Sequence, residues 1–450
     1  VAASVTQSPD GTTFTATPEQ PLAGGRFGVS WRVAAPDAHP ISGGFTFVVA
    51  GAAEGATGAV PPSLPGSGAA EVAPVPVPAG DGDPLAAALD QPSDDGAKAV
   101  GAVGRSLSYG GGLLAIGGLG FLAFAMVGRR REVTRMFSLL RVAGLVAVIG
   151  GVVGVVGRAW LLEGRGIESA FSSSALRAAF EGDAGLSLTL TMVGGLLVVL
   201  GARAAFRPPP KLAVAAGEWG DSAPRLVGGS LRNAWLAVVG VVVIAIGAAL
   251  DGHSASEGPR ALVWAVDLAH MLAAGMWFGG LALLGALLVW RWRAGRSANA
   301  AYPAVRFSTL AGIGLGVAAL AGVLLAVIIL PDVAALWETN WGRLLIAKVA
   351  LVAVVAGLGA YNHFRLIPRL SRVLEAAEAR PRRRPDPEPP LVAGPTDSVA
   401  TLERVEVTTT LGVEEPEDVS AALRKNAAIE LVLLGVVVVL TAILVGSSAL

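Results

Sequence analysis

The sequence predicts an all-α polytopic membrane bundle of about eight transmembrane helices, with a small partial β domain at its outer amino terminus. Three observations predict it. Hydrophobic residues make up 53% of the 450 positions, charged residues only 15%, and mean hydropathy is +0.62, which leaves too little polar side chain to cover a soluble globule of this size. Long apolar runs recur along the chain without the polar face that a soluble helix would carry. Lys and Arg gather in alternate connections between those runs.

In chain order, residues 1–50 form the β segment, 51–102 a flexible Ala/Pro/Gly-rich linker, and 103–450 the membrane domain, with a cytoplasmic loop at about 363–425. The chain opens on Val1 with no basic stretch leading into an apolar run, so its start reads as a processed product or as one lacking its true beginning. Short β-favouring runs within 26–50 flank turn residues Pro36, Asp37, Pro40, Gly43 and Gly44, the pattern of a hairpin. From Gly51 to about Ala97 the composition is Gly, Ala, Pro, Ser and Asp, with too few large apolar side chains to offset the entropy of ordering. A second such stretch runs from Ala379 to Thr396, and the alternation that follows in LERVEVTTT suggests one short strand.

The apolar runs lie at about 106–128, 139–157, 186–206, 232–250, 262–289, 307–330, 344–361 and 427–446. Each approaches the roughly 20 residues that cross about 30 Å of hydrocarbon. Connections 129–141, 202–230, 291–306 and 363–425 hold 5, 4, 4 and 10 Lys plus Arg, against 3, 1 and 1 in 158–185, 251–261 and 331–343. The first group is therefore expected in the cytoplasm and both termini outside. Trp160, Trp264, Trp337 and Trp341 fall near the outer ends of spans, and Trp219, Trp290 and Trp292 near the inner ends, where amphipathic rings sit at headgroup depth.

Without cysteine, disulfides and thiolate sites are excluded, and the four histidines carry the metal chemistry together with Met, Asp and Glu. His253 stands in the short outer loop DGHSASEGPR, and His270 lies inside the next span. On that helix Asp267, His270 and Met271 occupy i, i+3 and i+4, so carboxylate, imidazole and thioether share one face. Such groups are costly in hydrocarbon and by default line a bundle interior or a hydrated path. Imidazole with thioether suits copper, the thioether favouring Cu(I). The same residues are also read as a packing pair, Asp267 and His270 bonding each other or Arg105, as part of a proton or electron pathway, or through His270 as a haem ligand. Met192, Met276 and Trp277 are secondary candidates. Lys348 is expected to snorkel outward from the seventh span, Glu430 to cap or bind an arginine at the opposite face, and His363 to sit at the interface. No phosphate-binding loop, HExxH, GxSxG or Rossmann fingerprint occurs, so no enzyme is expected, and the zero net charge offers no field for nucleic acid.

The stretch DGHSASEGP followed by AVDLAHMLAAGMWFGGLALL resembles the hallmark of the copper-resistance D family; RFSTLAGIGLGVAALAGVLL, WETNWGRLLIAKVALVAVVAGLGAYNHFRLIPRL and LRKNAAIELVLLGVVVVLTAILV look like that family's later spans, so the resemblance covers roughly 103 to 447. The resemblance implies copper ions as cargo and the bacterial cytoplasmic membrane as location, with uptake into the cytosol as the role. A membrane copper sensor, scaffold or metallochaperone partner that does not translocate is the alternative. The piece GVSWRVAAPDAHPISGGFTFVV resembles the closing portion of the copper-resistance C domain, an extracytoplasmic copper-binding module. Asp37 and His39 match its carboxylate and imidazole motif, with Ala38 in place of the usual Gly, so they imply a weak or incomplete Cu(II) site. A separate extracytoplasmic copper-binding protein is a further implied partner, beside the lipid bilayer.

Overall fold

The computed structural model describes residues 1–8, 13–34, 40–49, 95–164, 166–203, 225–226, 234–251, 259–296, 301–330, 332–370, 372 and 416–446. Two antiparallel hairpins open the chain, β1 (Ala3–Gln7) with β2 (Phe14–Pro18) and β3 (Gly25–Ala34) with β4 (Pro40–Val49). The expected hairpin is β3–β4, in which Phe27 faces Phe47 across the ladder with ring centroids 5.8 Å apart. Trp31 pairs with Gly43, and the indole lies so close that a Cβ there would fall 2.8 Å from Trp31 Cε2. The hairpin β1–β2 was not expected from the sequence.

The helical part comprises α1 (Asp95–Phe124), α2 (Arg130–Glu163), the short α3 (Ser173–Ala179), α4 (Gly182–Gly201), α5 (Trp235–Ala249), α6 (Arg260–Arg293), α7 (Ala301–Ile329), the short α8 (Ala335–Glu338), α9 (Asn340–Tyr361) and α10 (Pro416–Val445). Strands β5 (Val127–Gly128) and β6 (Arg225–Leu226) pair near the foot of α1. Among the described residues, seven helices are long and apolar enough to span, the shortest having 20 residues, which is about 30 Å at about 1.5 Å per residue. Their outward faces are apolar: Val142, Leu145, Ile149 and Val152 of α2 and Ile313, Leu320, Val323 and Val327 of α7 are exposed at helical spacing. That is the reverse of a soluble bundle, and it fits a multi-pass membrane protein.

The eighth expected span is α5, whose 15 residues extend only about 22 Å. Its end is met inside the bundle, where Tyr109 Oη of α1 donates to Asp251 Oδ2 at 2.6 Å just beyond the last turn. Helix α1 begins at Asp95, inside the stretch expected to be linker, and the helix after α9 continues to Leu370, past the expected start of the long loop. The expected strand near 402–410 and Trp219 lie outside the described residues.

Glycine lets the backbones meet. Along α1 and α2, Gly101 opposes Gly157, Gly104 opposes Gly154 and Gly111 opposes Ala147, one number rising as the other falls, as antiparallel neighbours require. A Cβ on Gly104 would lie 2.7 Å from Gly154 Cα, so the two helices touch main chain to main chain. Helices α4 and α5 meet in the same way at Gly194 and Gly240.

A buried ion cluster ties the arginine-rich end together. Glu132, 4% exposed, receives Arg291 at 3.1 Å and Arg296 at 3.1 Å and accepts from the backbone N–H of Arg129 at 3.0 Å, which also caps α2. Arg291 donates its remaining Nη2 proton to Val127 O at 2.6 Å, so α6 is clamped to the turn between α1 and α2.

Candidate functional site

Helix α6 carries Asp267, His270 and Met271 half-buried on one face, about 10 to 16 Å along the helix from its first residue at about 1.5 Å per residue. Helix α7 packs against it and supplies the carbonyl of Ala318, 2.9 Å from His270 Nδ1. A carbonyl oxygen only accepts, so Nδ1 carries the proton and Nε2 keeps the lone pair. Gly322, one turn further along α7, leaves room for the ring; a Cβ there would stand 3.5 Å from His270 Cε1. This is the arrangement in which a backbone acceptor fixes tautomer and ring orientation and leaves the other nitrogen to bind.

Neighbouring helices add charges at the same depth. Lys348 of α9 is half-buried, with its ammonium in electrostatic reach of both the His270 imidazole and the Asp267 carboxylate. It therefore faces the bundle rather than snorkelling away from it. Tyr109 of α1 is in electrostatic reach of Asp251, Arg105 and Asp267, and Arg105 donates from Nε to Ala442 O of α10 at 3.0 Å. The sequence pairing of His270 with Asp267 or Arg105 gives way to one with a main-chain carbonyl. The reason is geometric: α7 presents an acceptor within one bond length of the ring, and Arg105 points to the end of α10.

Other sequence candidates are placed elsewhere. Met276 packs its thioether against Gly120 of α1, where a Cβ would stand 2.8 Å from Sδ. Met192 of α4 lies over Gly151 of α2, a Cβ there standing 3.3 Å from its Sδ, within the small apolar cluster around Val155 and Ala159. Trp277 is 7% exposed in the main core. His253, Asp37 and His39 lie outside the described residues. Among the described residues, no three His, Asp or Glu side chains gather as a metal cluster.

A second polar group occupies the other half of the bundle. Glu430 of α10, 2% exposed, accepts from Asn362 Nδ2, and Asn362 Oδ1 accepts in turn from Asn426 Nδ2 at 2.8 Å. The expectation that Glu430 binds an arginine gives way to this amide pair. His363, with Nδ1 2.7 Å from Ser308 Oγ, is exposed beside it. Sequence reasoning missed Tyr109, Asp251, Asn362 and Asn426. Each is a single polar residue in or beside an apolar run, and Tyr109 with Asp251 and Asn362 with Asn426 form two separate pairs that local spacing does not group.

Residues 303–388 match the family model described as Copper resistance protein D, and residues 1–50 match that of the CopC domain. The chain thus carries a CopD-like membrane segment preceded by a CopC-like domain. The CopD match covers nearly all of α7, the whole of α9 and the turn after it, which bring Ala318, Lys348 and Asn362, while α6 lies outside it. The chain is 32% identical over 133 residues to the Copper transport protein CutJ of Bacillus subtilis (strain 168), a likeness covering 28% of this chain and 24% of that relative. About a quarter of the relative's length is therefore matched. No solved structure matches.

Proposed function

We propose that this chain moves copper ions across the bacterial cytoplasmic membrane, from the extracytoplasmic side into the cytosol, through a site formed by His270, Met271 and Asp267 with His253 at its mouth. The observation that carries the reading is the His270 ring, whose Nδ1 is held on the Ala318 carbonyl while Nε2 keeps its lone pair inside the bundle. The CopD-like and CopC-like matches and the copper-transport relative support copper as the cargo and a transport or binding role rather than catalysis. Imidazole and thioether fit Cu(I) by their softness. His253 follows Asp251 by two residues in sequence and is the ligand available to complete the set. Asp37 and His39 serve as a weak Cu(II) docking pair, alongside an extracytoplasmic copper-binding partner. Both termini face outward by the distribution of basic residues.

Protons and copper compete for the same Nε2 lone pair, so uptake falls as the extracytoplasmic medium is acidified. Copper accumulation in proteoliposomes tests the reading. His270→Ala should lower uptake about tenfold or more, because a dehydrated ion loses a buried partner. His253→Ala should cost less, since water substitutes at an aqueous mouth, and Met271→Leu should cost a few-fold for Cu(I) alone. Wild-type uptake by folded His270→Ala protein would overturn the site. Stoichiometric copper binding with no lumenal accumulation would replace transport by the non-translocating sensor or scaffold reading.

A further inference from the structure

We propose that the carboxylate of Glu430, held by the Asn362 amide and through it by Asn426, is a second cation-binding group in the bundle, taking an exchangeable proton or a metal ion. It lies apart from the His270 layer, in the half nearer the arginine-rich end, and does not depend on copper being the cargo.

The contrast between two buried glutamates carries the inference. Glu132, 4% exposed, is neutralised by Arg291 and Arg296 at 3.1 Å each, and its oxygens are fully used. Glu430, 2% exposed, is joined by no ion pair among the described residues and is bonded by the neutral Asn362 amide. Asn426 donates to Asn362 and Asn362 donates to Glu430, so both amide dipoles point their positive ends along one line toward the carboxylate. Neutral donors solvate a buried charge without cancelling it, and an uncompensated carboxylate in such a place is costly.

Space for the cation is present. Glu430, Asn362, His363 and Ser308 supply the polar side of a pocket of about 380 Å³ that is otherwise lined mostly by apolar side chains, Trp277 and Phe307 among them, and that has volume for water beside the carboxyl. The wall is built by a π-helical turn, Asn362–Leu366, in which Ile367 N–H bonds back to Asn362 O. One residue more than a regular turn is accommodated there, with Asn362 buried and His363 exposed at the rim, and such turns are frequent at functional sites.

The charged surroundings are few. The turn contributes His363, which lines the pocket, and the exposed Arg365, while the lining residues of α6 and α7 include no titratable group. On α10 itself Arg424 and Lys425 stand toward the arginine-rich end, Arg424 lying 4.7 Å over the Trp292 ring.

The test uses the purified full chain, wild type and Glu430→Gln, with two readouts: equivalents of Cu(II) bound per chain, and the infrared difference spectrum of carboxylic acids on a pH jump. Gln keeps the oxygen that accepts from Asn362, so the fold is retained. Glu430→Gln should lose either one metal equivalent that His270→Ala keeps, which identifies a metal ion, or a protonated-carboxyl band, which identifies a proton. Unchanged binding together with an unchanged spectrum overturns the site. A single metal equivalent in wild-type protein that His270→Ala removes, with no protonated-carboxyl band, overturns it equally. Failure of His270→Ala to impair copper uptake would sink the transport site and leave both readouts at Glu430 standing.

Discussion

Lys348 places an ammonium in electrostatic reach of His270 and Asp267, in the layer where a cation would have to sit. If copper passes through this layer as proposed, the ion would meet that charge, and the lysine would neutralise part of the attraction that Asp267 exerts. Two unit charges a few ångströms apart interact by roughly 4 kcal/mol at an effective dielectric of about 20, and by less at greater separation. Lys348→Gln is therefore expected to tighten copper binding, by about tenfold, and to slow its release. Equilibrium titration of the purified protein with copper checks the sign. Weaker binding in the variant would mean that Lys348 holds Asp267 and the ring in place rather than opposing the ion.

At the scale of elements, two kinds of contact hold helices together. Glycine-lined contacts, such as Gly104 against Gly154, work through close main-chain approach and tolerate no added atom. The clamp of Arg291 on Glu132 and Val127 works through charge, with side chains only 4% and 5% exposed on the two partners. Removing one member of a buried pair leaves the other uncompensated, at a cost of about 3–5 kcal/mol. Arg291→Ala should lower thermal stability in detergent by that order, whereas Arg260→Ala, which breaks an exposed pair with Asp183 at 2.9 Å, should cost about 1 kcal/mol or less. Equal effects from the two substitutions would show that the Glu132 clamp is no more than another exposed contact.

At the scale of the molecule, an even number of crossings puts both ends of the chain on one side, and the short helix α5 decides the parity. Seven long helices alone would place them on opposite sides. Tyr109 donates to Asp251 just past the last turn of α5, and the alternation of basic residues leads us to expect that this 15-residue helix crosses as well. A reporter fused after Leu450 should read extracytoplasmic, as should one fused ahead of Val1. A cytoplasmic signal from the carboxyl-terminal fusion would show that α5 does not cross.

The sequence by itself determined the class, the positions of the long helices and the β3–β4 hairpin, because each depends on local composition and period: about 20 apolar residues, or strict alternation about a turn. It also singled out the Asp267, His270 and Met271 face, since spacing on one helix fixes which side chains stand together. Partners on other helices were beyond it. That Ala318 offers His270 a carbonyl, that Lys348 turns inward, and that Glu430 meets Asn362 across 68 residues rather than an arginine are matters of which helices adjoin and at what height. Main-chain carbonyls leave no mark in a sequence. The bond between Tyr109 and Asp251 at the end of α5 likewise joins residues 142 positions apart. Local chemistry chooses the elements, but the depth at which two of them meet follows from close packing of whole helices, and only the tertiary structure states it.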